Sequence, residues 1–216
     1  PTPSSAASDV YKRQSENGLG PAAFPSLARM ETEVVSMTGD LLGAPEGSTG
    51  SMTSGGTESI FLAVKTCRDW SRTHRPDAFS QGPAQIVAPR TAHPAFDKAA
   101  QYLGLEVVRI PVTEALTADA PAMTAAVTAR TIMLVGSAPC FPFGLIDPIE
   151  ALSGIATEHD LWLHVDACVG GYFTPFARMN GEPVPDFDFG LGGVQSMSAD
   201  THKYGYAAKG ASTVLY

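Results

Sequence analysis

One lysine stands in the stretch Ser198–Gly205, which reads Ser-Ala-Asp-Thr-His-Lys-Tyr-Gly and follows a short apolar run at 193–197. The run predicts a buried strand, so Lys203 is expected in the loop where that strand ends. Such loops bind ligands in open α/β sheets. A lysine there can form a Schiff base with an aldehyde, although most lysines are solvated surface groups. The polar neighbours Asp200 and His202 favour a binding site.

Asp166, Ser137 and His93 also lie at or just after the ends of apolar runs that predict strands. Ligands in such sheets bind at the carboxyl ends of the strands, so the three residues and Lys203 are expected along one edge. A buried carboxylate at Asp166 needs a partner. That partner is either a helix N-terminus or loop cation, or the protonated pyridine nitrogen of an aldehyde cofactor. His93 is either a solvated loop residue or an imidazole stacked on the cofactor ring.

A small, hydroxyl-rich loop at residues 50–58 carries Gly55 and Gly56 and runs directly into an apolar helical stripe. Glycine lets a backbone approach a ligand, and the free N–H groups of a first helical turn favour an anion. The amides of Gly55, Gly56 and Thr57 are therefore candidate phosphate ligands. The same pattern also fits a plain turn, and it matches neither the P-loop nor the dinucleotide fingerprint.

Strand and helix patterns alternate along the chain. Helical periodicity predicts helices at 25–42, 60–67, 94–103 and 117–130 and a further helix that Asp147 caps, and Gly104 is expected to end the third of them. Apolar runs predict strands at 85–88, 105–112, 131–135, 161–165, 193–197 and 211–216. This order predicts an α/β fold with a mostly parallel, doubly wound sheet that carries helices on both faces.

The composition narrows the possible partners. The 216 residues carry a formal net charge of −8, which argues against nucleic acid or an anionic membrane as the main partner. The three cysteines are scattered without CxxC spacing, which suits a reducing cytoplasm and predicts neither a disulfide framework nor a zinc site. No apolar run approaches the roughly 20 residues of a membrane span. We therefore predict a cytoplasmic protein without a metal site.

The two ends of the sequence predict a fragment. Residues 1–14 are similar to a low-complexity, translated adaptor and are predicted to be non-native, which leaves 15–216 as the folded domain. The last predicted strand, at 211–216, stops abruptly. We therefore expect a domain that is truncated at its C-terminus.

Five motifs together resemble the pyridoxal-phosphate-dependent group II decarboxylase family, and within it the sphingosine-1-phosphate lyase branch. They are Thr53-Ser-Gly-Gly-Thr-Glu58, His93-Pro-Ala-Phe-Asp-Lys-Ala99, Val135-Gly-Ser-Ala-Pro139, His164-Val-Asp-Ala-Cys168 and Ser198-Ala-Asp-Thr-His-Lys-Tyr-Gly-Tyr206. They occur in the family's order, and the resemblance extends from about Asn17 to the C-terminus. The Asp-Thr-His-Lys-Tyr-Gly-Tyr string is its most specific part.

The resemblance implies an aspartate-aminotransferase-type (fold type I) large domain, with the family's smaller C-terminal domain missing, and pyridoxal 5'-phosphate as the cofactor. It implies that Lys203 is the Schiff-base lysine, that Asp166 faces the pyridine nitrogen and that His93 stacks on the ring. The implied cofactor-binding residues are Ser54, Gly55, Gly56, Thr57, His93, Ser137, Asp166, His202 and Lys203. Lys209 is the nearest alternative lysine. The family's members are homodimers, so a homodimer is expected.

The implied activity is that of a carbon–carbon lyase on a small-molecule amine. It would cleave a phosphorylated long-chain base to a fatty aldehyde and phosphoethanolamine. The alternatives are an amino-acid decarboxylase of the glutamate or tyrosine type and a non-catalytic fragment. Cys168 stands where many decarboxylases carry alanine, which favours the lyase branch. The stretch Asn17–Pro21 matches the family's entry motif only in part.

Overall fold

The computed structural model describes Gly20 and residues 22–216. The adaptor-like segment at 1–14 and most of the stretch Asn17–Pro21 lie outside the described residues. Six α-helices form in the described part: α1 Pro25–Leu41, α2 Gly56–His74, α3 Ala95–Leu103, α4 Ala120–Ala125, α5 Ile149–Glu158 and α6 Thr174–Met179. Seven strands alternate with them: β1 Gly50–Thr53, β2 Gln85–Pro89, β3 Glu106–Ile110, β4 Thr131–Ser137, β5 Trp162–Asp166, β6 Val194–Ala199 and β7 Ser212–Leu215.

The seven strands form one sheet in the order β1-β7-β6-β5-β4-β2-β3. Strands β3, β2, β4, β5 and β6 pair in parallel, whereas β7 pairs antiparallel with both β6 and β1. The predicted mostly parallel sheet is confirmed. The parallel strands all end at the same edge, which brings Ser137, Asp166 and the loop after Ala199 together.

Two hydrophobic cores cover the two faces of the sheet. On one face, Ile149 and Leu152 of α5 pack in a cluster with Leu163 and Val165 of β5. On the other face, α2 and α3 bury Ile60, Val64 and Phe96 against the sheet. The predicted helices on both faces are therefore confirmed. Successive side chains of a strand point to opposite faces of the sheet, so the strands contribute residues to both cores.

Four local predictions were wrong or incomplete, because tertiary contacts decide these segments. Residues 50–53 form the edge strand β1 rather than a loop, since Gly50 pairs with Leu215 of β7. The predicted helix 117–130 is shortened to Ala120–Ala125, with the Asp119 side chain accepting the N–H of Ala122. Helix α6 was not predicted. Asp147 does not cap α5.

The Asp147 carboxylate is instead a buried clamp between two distant segments. Its oxygens accept the backbone N–H groups of Ala118 at 2.7 Å and Ser137 at 2.8 Å. It therefore fixes the end of β4 beside the carboxyl edge of the sheet. The other predicted cap is confirmed: Gly104 ends α3 in the left-handed conformation, with φ of 68°.

Candidate active site at the carboxyl edge of the sheet

A cavity of about 310 Å³ opens at the carboxyl edge of the central strands. Eight of the nine predicted site residues line it: Ser54, Gly55, Gly56, Thr57, His93, Asp166, His202 and Lys203. They come from four separate segments of the chain, which the parallel sheet gathers in one place. The remaining residues that line it are Glu58, Ile60, Pro139, Phe141, Cys168, Val169 and Asp200.

Ser137 is the predicted residue that does not line this cavity. It ends β4 and lies in register beside Asp166 of β5. Its side chain is buried, and its hydroxyl oxygen has no hydrogen-bond partner among the described residues. Ser137 is therefore close to the site, one strand away from the carboxylate.

Lys203 lies in the turn that follows β6. Its Nζ is 2.9 Å from Oδ2 of Asp200, and its side chain is 37% exposed. Burial lowers the pKa of Lys203, but the hydrogen bond and the charge of Asp200, with smaller effects of Cys168 and Asp166, raise the pKa above its ordinary value. The amine is therefore held as an ammonium ion at the cavity wall. Lys209, the alternative lysine, is exposed and does not line the cavity.

Asp166 is a buried carboxylate whose hydrogen-bond donors are neutral. The backbone N–H of Cys168 donates to its Oδ1 at 3.1 Å, and the Ser198 hydroxyl donates to the same atom at 3.3 Å. Both donors use Oδ1, which leaves Oδ2 as the oxygen for a ligand in the cavity. Among the described residues, no ion pair joins Asp166 to a cation.

A chain of hydrogen bonds runs from the core to Asp166 through His164, which is fully buried. The Trp162 indole can only donate, so its N–H bonds to the Ser196 oxygen at 2.7 Å. The Ser196 hydroxyl then donates to Nδ1 of His164 at 2.8 Å.

The other end of this chain is fixed by the carboxylate, which can only accept. Nε2–H of His164 donates to the Ser198 oxygen at 3.3 Å, and the Ser198 hydroxyl is free to donate to Asp166. The two ends therefore assign a neutral His164 with its proton on Nε2. Burial lowers the pKa of His164 to about 4, although the charge of Asp166 opposes this effect.

Two other histidines reach the cavity wall, each with Nδ1 engaged by the backbone. His93 Nδ1 accepts the N–H of Ala95 at 3.1 Å, and its ring meets the Phe141 ring edge-on at 5.3 Å between centroids. His202 Nδ1 accepts the N–H of Ala211 at 3.2 Å, and its Nε2 is 3.6 Å from Asp200. In both rings Nε2 is the nitrogen that can face a ligand.

The glycine loop brings the first turn of α2 to the cavity. Gly55 has φ of 149°, a conformation that residues with a Cβ rarely adopt. A Cβ on Gly56 would lie 2.7 Å from Sγ of Cys168 and 3.0 Å from each carboxylate oxygen of Asp200. Only glycine therefore allows this approach of the helix. Glu58 accepts the N–H and the hydroxyl of Ser54, and these hydrogen bonds lower the pKa of Glu58.

Four buried polar atoms near this edge have no hydrogen-bond partner among the described residues: the hydroxyl oxygens of Thr91, Ser137 and Thr201, and Oδ1 of Asp200. Such atoms are expected to meet water or a ligand. With an amine, a carboxylate, an imidazole and a helix N-terminus beside them, they fit a polar, anionic aldehyde.

Sequence reasoning missed the pairing of Asp200 with Lys203. The spacing of three residues was visible, but the turn that closes them together was not. It also gave no role to Phe141, which packs against His93 from the loop after β4. An aromatic residue in a loop gave no signal that could have identified it.

Comparison with known proteins decides the family. Residues 5–216 match the family described as the pyridoxal-dependent decarboxylase conserved domain. The chain belongs to this family. Its cofactor is pyridoxal phosphate, which is the anionic aldehyde that the site geometry fits.

Individual relatives place the chain beside one branch of the family. It is 52% identical over 205 residues to a sphingosine-1-phosphate lyase of Oryza sativa subsp. japonica and 48% identical over 203 residues to one of Dictyostelium discoideum. Each alignment covers 93% of this chain and 37% of the relative. The chain thus spans little more than a third of the length of these curated relatives.

Solved structures confirm the fold. The Burkholderia pseudomallei sphingosine-1-phosphate lyase superposes with a TM-score of 0.87 at 44% identity, covering 93% of this chain and 47% of that one. A glutamate decarboxylase of Lactobacillus brevis superposes with a TM-score of 0.91 at 24% identity, covering 100% of this chain and 51% of that one. The aspartate-aminotransferase-type large domain predicted from the sequence is therefore confirmed.

Gly20 and residues 22–216 lack two features. This part of the chain has no helix with the length and apolarity needed to cross a bilayer. It also has no group of three or more histidine, cysteine, aspartate or glutamate side chains arranged to hold a metal ion.

Proposed function

We propose that this chain is the cofactor-binding part of a pyridoxal-phosphate-dependent carbon–carbon lyase that acts on a phosphorylated long-chain base. The observation that carries the proposal is the 52% identity to a sphingosine-1-phosphate lyase across 93% of the chain. The cavity supports it, because the side chains that such a reaction needs surround one space. The products would be a fatty aldehyde and phosphoethanolamine.

The roles of the residues follow from their chemistry. Lys203 would hold the cofactor through Nζ, and the carboxylate of Asp166 would hold a proton on the ring nitrogen. The imidazole of His93 would cover one face of the ring. When bound, the cofactor supplies an electron sink for the bond that breaks next to the substrate amine.

The phosphate of the cofactor would lie at the N-terminus of α2. This helix has 19 residues, and its first turn presents the backbone N–H groups of Gly56 and Thr57. A helix N-terminus favours an anion through its free N–H groups and its dipole. His202 would contribute Nε2 from the opposite wall, and Ser54 and Gly55 would shape the loop. The Ser137 side chain would lie near the side of the cofactor ring that carries an oxygen substituent.

A second candidate function is the decarboxylation of an amino acid. The chain is 40% identical over 196 residues to a probable L-tyrosine/L-aspartate decarboxylase of Methanocella arvoryzae, which supports this reading. The same lysine, aspartate and histidine would serve both reactions, so the site alone does not separate them. The higher identity to the lyases favours the first candidate.

A product assay separates the candidates. The protein in its full natural length, loaded with pyridoxal phosphate, is incubated with a phosphorylated long-chain base or with tyrosine, aspartate or glutamate. Release of a fatty aldehyde without CO₂ is the expected result. Release of CO₂ from an amino acid, with no aldehyde from the base, would transfer the assignment to the decarboxylases. Neither product, from a protein that still binds the cofactor, would favour the non-catalytic alternative.

We also propose that the protein forms a homodimer through an aromatic surface beside the site. This surface consists of Phe173, Phe176, Tyr204 and Tyr206, which are 46–89% exposed. Tyr204 directly follows Lys203 in the chain, so a partner subunit on this surface would contact the loop that carries the lysine. Clusters of exposed aromatic side chains are typical of protein interaction surfaces. Sedimentation of the wild-type protein as a dimer and of F173D/F176D as a monomer is expected; a monomeric wild type would refute the proposal.

We also propose that the protein is located in the cytoplasm. All three cysteines, Cys67, Cys140 and Cys168, are free and buried. This supports a reducing compartment. Fractionation of the source cells, with the protein recovered in the cytosol, is the expected result.

A further inference from the structure

Asp200 is the residue that faces the Lys203 amine most closely. Its Oδ2 lies 2.9 Å from Nζ, and the backbone N–H of Lys203 donates to the Asp200 carbonyl at 3.2 Å. The two residues thus form one closed turn. The Asp200 side chain is 3% exposed, whereas that of Lys203 is 37% exposed. The carboxylate is fixed in the wall, and the amine reaches into the cavity.

The position of Asp200 is fixed independently of the lysine. Its backbone N–H donates to the Cys168 carbonyl at 3.3 Å. Both of its carboxylate oxygens lie 3.0 Å from the point that a Cβ on Gly56 would occupy. The carboxylate therefore lies against the N-terminus of α2, whose dipole stabilises a negative charge.

The charges around the amine identify Asp200 as its partner. Among the described residues that line the cavity, Lys203 is the only lysine or arginine. The other titratable groups on the cavity wall are Asp166 at the end of β5, Cys168 just after it, Glu58 of α2, His93 before α3, and His202. Glu58 is engaged by Ser54, and the Asp166 hydrogen bonds come from neutral donors. His202 approaches the same Oδ2 at 3.6 Å.

We propose that Asp200 positions Lys203 and holds its amine in the protonated form until the cofactor arrives, so that the amine must release this proton to solvent before it can form a covalent bond. An ammonium ion has no lone pair, so the nitrogen reacts only after the proton has left it. Oδ2 is within hydrogen-bond distance of Nζ and is held in place by the turn. The unpartnered Oδ1 leaves the carboxylate able to accept a second hydrogen bond. This inference rests on the proposed role of Lys203.

The consequence is a Lys203 amine that is more strongly protonated in the free protein than a surface lysine. The effect of Asp200 outweighs burial, which by itself would lower the pKa of Lys203. Removing the charge of Asp200 should therefore leave an amine that is only partly exposed and has lost its main counter-ion. Its titration midpoint should fall.

The test measures the amine itself, without the cofactor. Cofactor-free protein is labelled with a trace of acetic anhydride between pH 7 and 11, and the acetylation of each lysine peptide is followed by mass spectrometry. The neutral amine forms the new N–C bond, acetate leaves, and the amine proton passes to solvent. Lys98, an exposed lysine on α3, serves as the internal reference.

The expected result is a Lys203 midpoint above that of Lys98 in the wild type and at least about one pH unit lower in Asp200→Asn. At pH 8 such a shift gives about tenfold more neutral amine. Asp186→Asn is the matched control, since Asp186 is 68% exposed and pairs with Arg178; it should leave the Lys203 midpoint unchanged. An unchanged midpoint in Asp200→Asn overturns the proposal.

Two further measurements keep the test decisive. If Asp200→Asn fails to give the wild-type circular dichroism spectrum, the wild-type profile decides, and a Lys203 midpoint at or below that of Lys98 overturns the proposal. Borohydride trapping of pyridoxal phosphate separates this inference from the proposed function. A cofactor trapped on another lysine refutes the assigned role of Lys203, whereas a cofactor trapped on Lys203 with an unshifted midpoint refutes only the role of Asp200.

Discussion

Asp166 and Asp200 are two buried carboxylates at the ends of neighbouring strands, and their partners differ in charge. Asp200 faces the Lys203 ammonium at 2.9 Å. Asp166 accepts hydrogen bonds from a backbone N–H and a serine hydroxyl, both neutral. The charge of Asp200 is therefore balanced within the protein, whereas that of Asp166 remains available to a cation in the cavity. Under the proposals above, Asp200 would act on the protonation of the Lys203 amine, whereas Asp166 would act on the protonation of the cofactor ring.

Asp166→Asn is the strongest test of this difference between the two carboxylates, and it has the largest expected effect. An amide has the shape of the carboxylate but cannot balance a protonated ring nitrogen. We expect turnover to fall by about 10²–10³-fold, the size of effect seen when a preorganised electrostatic group is lost. Turnover of the cofactor-saturated protein measures it, with the circular dichroism spectrum as the control for folding. A loss smaller than threefold would show that Asp166 has no such role.

Gly56→Ala tests whether cofactor binding depends on the close contact between the first turn of α2 and Asp200. The new Cβ would meet Sγ of Cys168 and both oxygens of Asp200 at 3.0 Å or less. The first turn of α2 and the Asp200–Lys203 pair must then separate. We expect cofactor affinity to weaken by about tenfold or more, which corresponds to at least about 1.4 kcal/mol. Equilibrium titration with pyridoxal phosphate measures it. Gly154→Ala, on α5 with open space around it, is the control and should bind as the wild type does.

Ser198→Ala sharpens the account of Asp166, because it removes the hydroxyl that links His164 to the carboxylate. One hydrogen bond to a charged group is lost, which contributes about 1.5–3 kcal/mol. We expect a fall in turnover of about tenfold, smaller than that of Asp166→Asn. Nitrogen NMR of His164 supplies a second readout: the wild type should carry its proton on Nε2. A proton on Nδ1 would contradict the direction assigned to the hydrogen-bond chain.

The last expected effect concerns the pH dependence of stability and does not involve turnover or cofactor binding. The pKa of His164 is lowered to about 4 in the folded protein, against about 6.5 when unfolded. The unfolded chain therefore takes up a proton first as the pH falls, and stability present above pH 6.5 is lost towards pH 4. Between pH 7 and 5 this amounts to about 2 kcal/mol.

Urea unfolding of the wild type and of His164→Asn at both pH values measures this effect. The free energy of unfolding of the wild type should fall by about 2 kcal/mol more than that of the variant. Equal falls would mean that His164 is protonated in the folded protein. Asp166 would then have a charged neighbour, and the contrast with Asp200 would disappear.

The sequence predicted the parts of the site that local patterns encode. Apolar runs predicted the strands that end at Ser137 and Asp166, and the parallel sheet follows from their alternation with helices. Asp147 shows the limit of that reasoning. Its neighbour Pro148 suggested a helix cap, but its carboxylate binds the N–H groups of Ala118 and Ser137, which are distant in sequence.

The hydrogen-bond chain to Asp166 shows the same limit. It depends on the register between β5 and β6, which places His164 beside Ser196 and Asp166 beside Ser198. No local pattern in the sequence specifies that register. Strand β1 was missed for a related reason, since its sequence Gly-Ser-Met-Thr has little strand character and only its pairing with β7 makes it a strand.

The central claim is that Lys203 holds the cofactor in this cavity. Borohydride reduction of the protein with pyridoxal phosphate, followed by peptide mapping, tests it most directly. The account predicts a stable cofactor adduct on the peptide that contains Lys203 and no adduct in Lys203→Ala. An adduct on Lys209 in the wild type, or one that persists in Lys203→Ala, would contradict it.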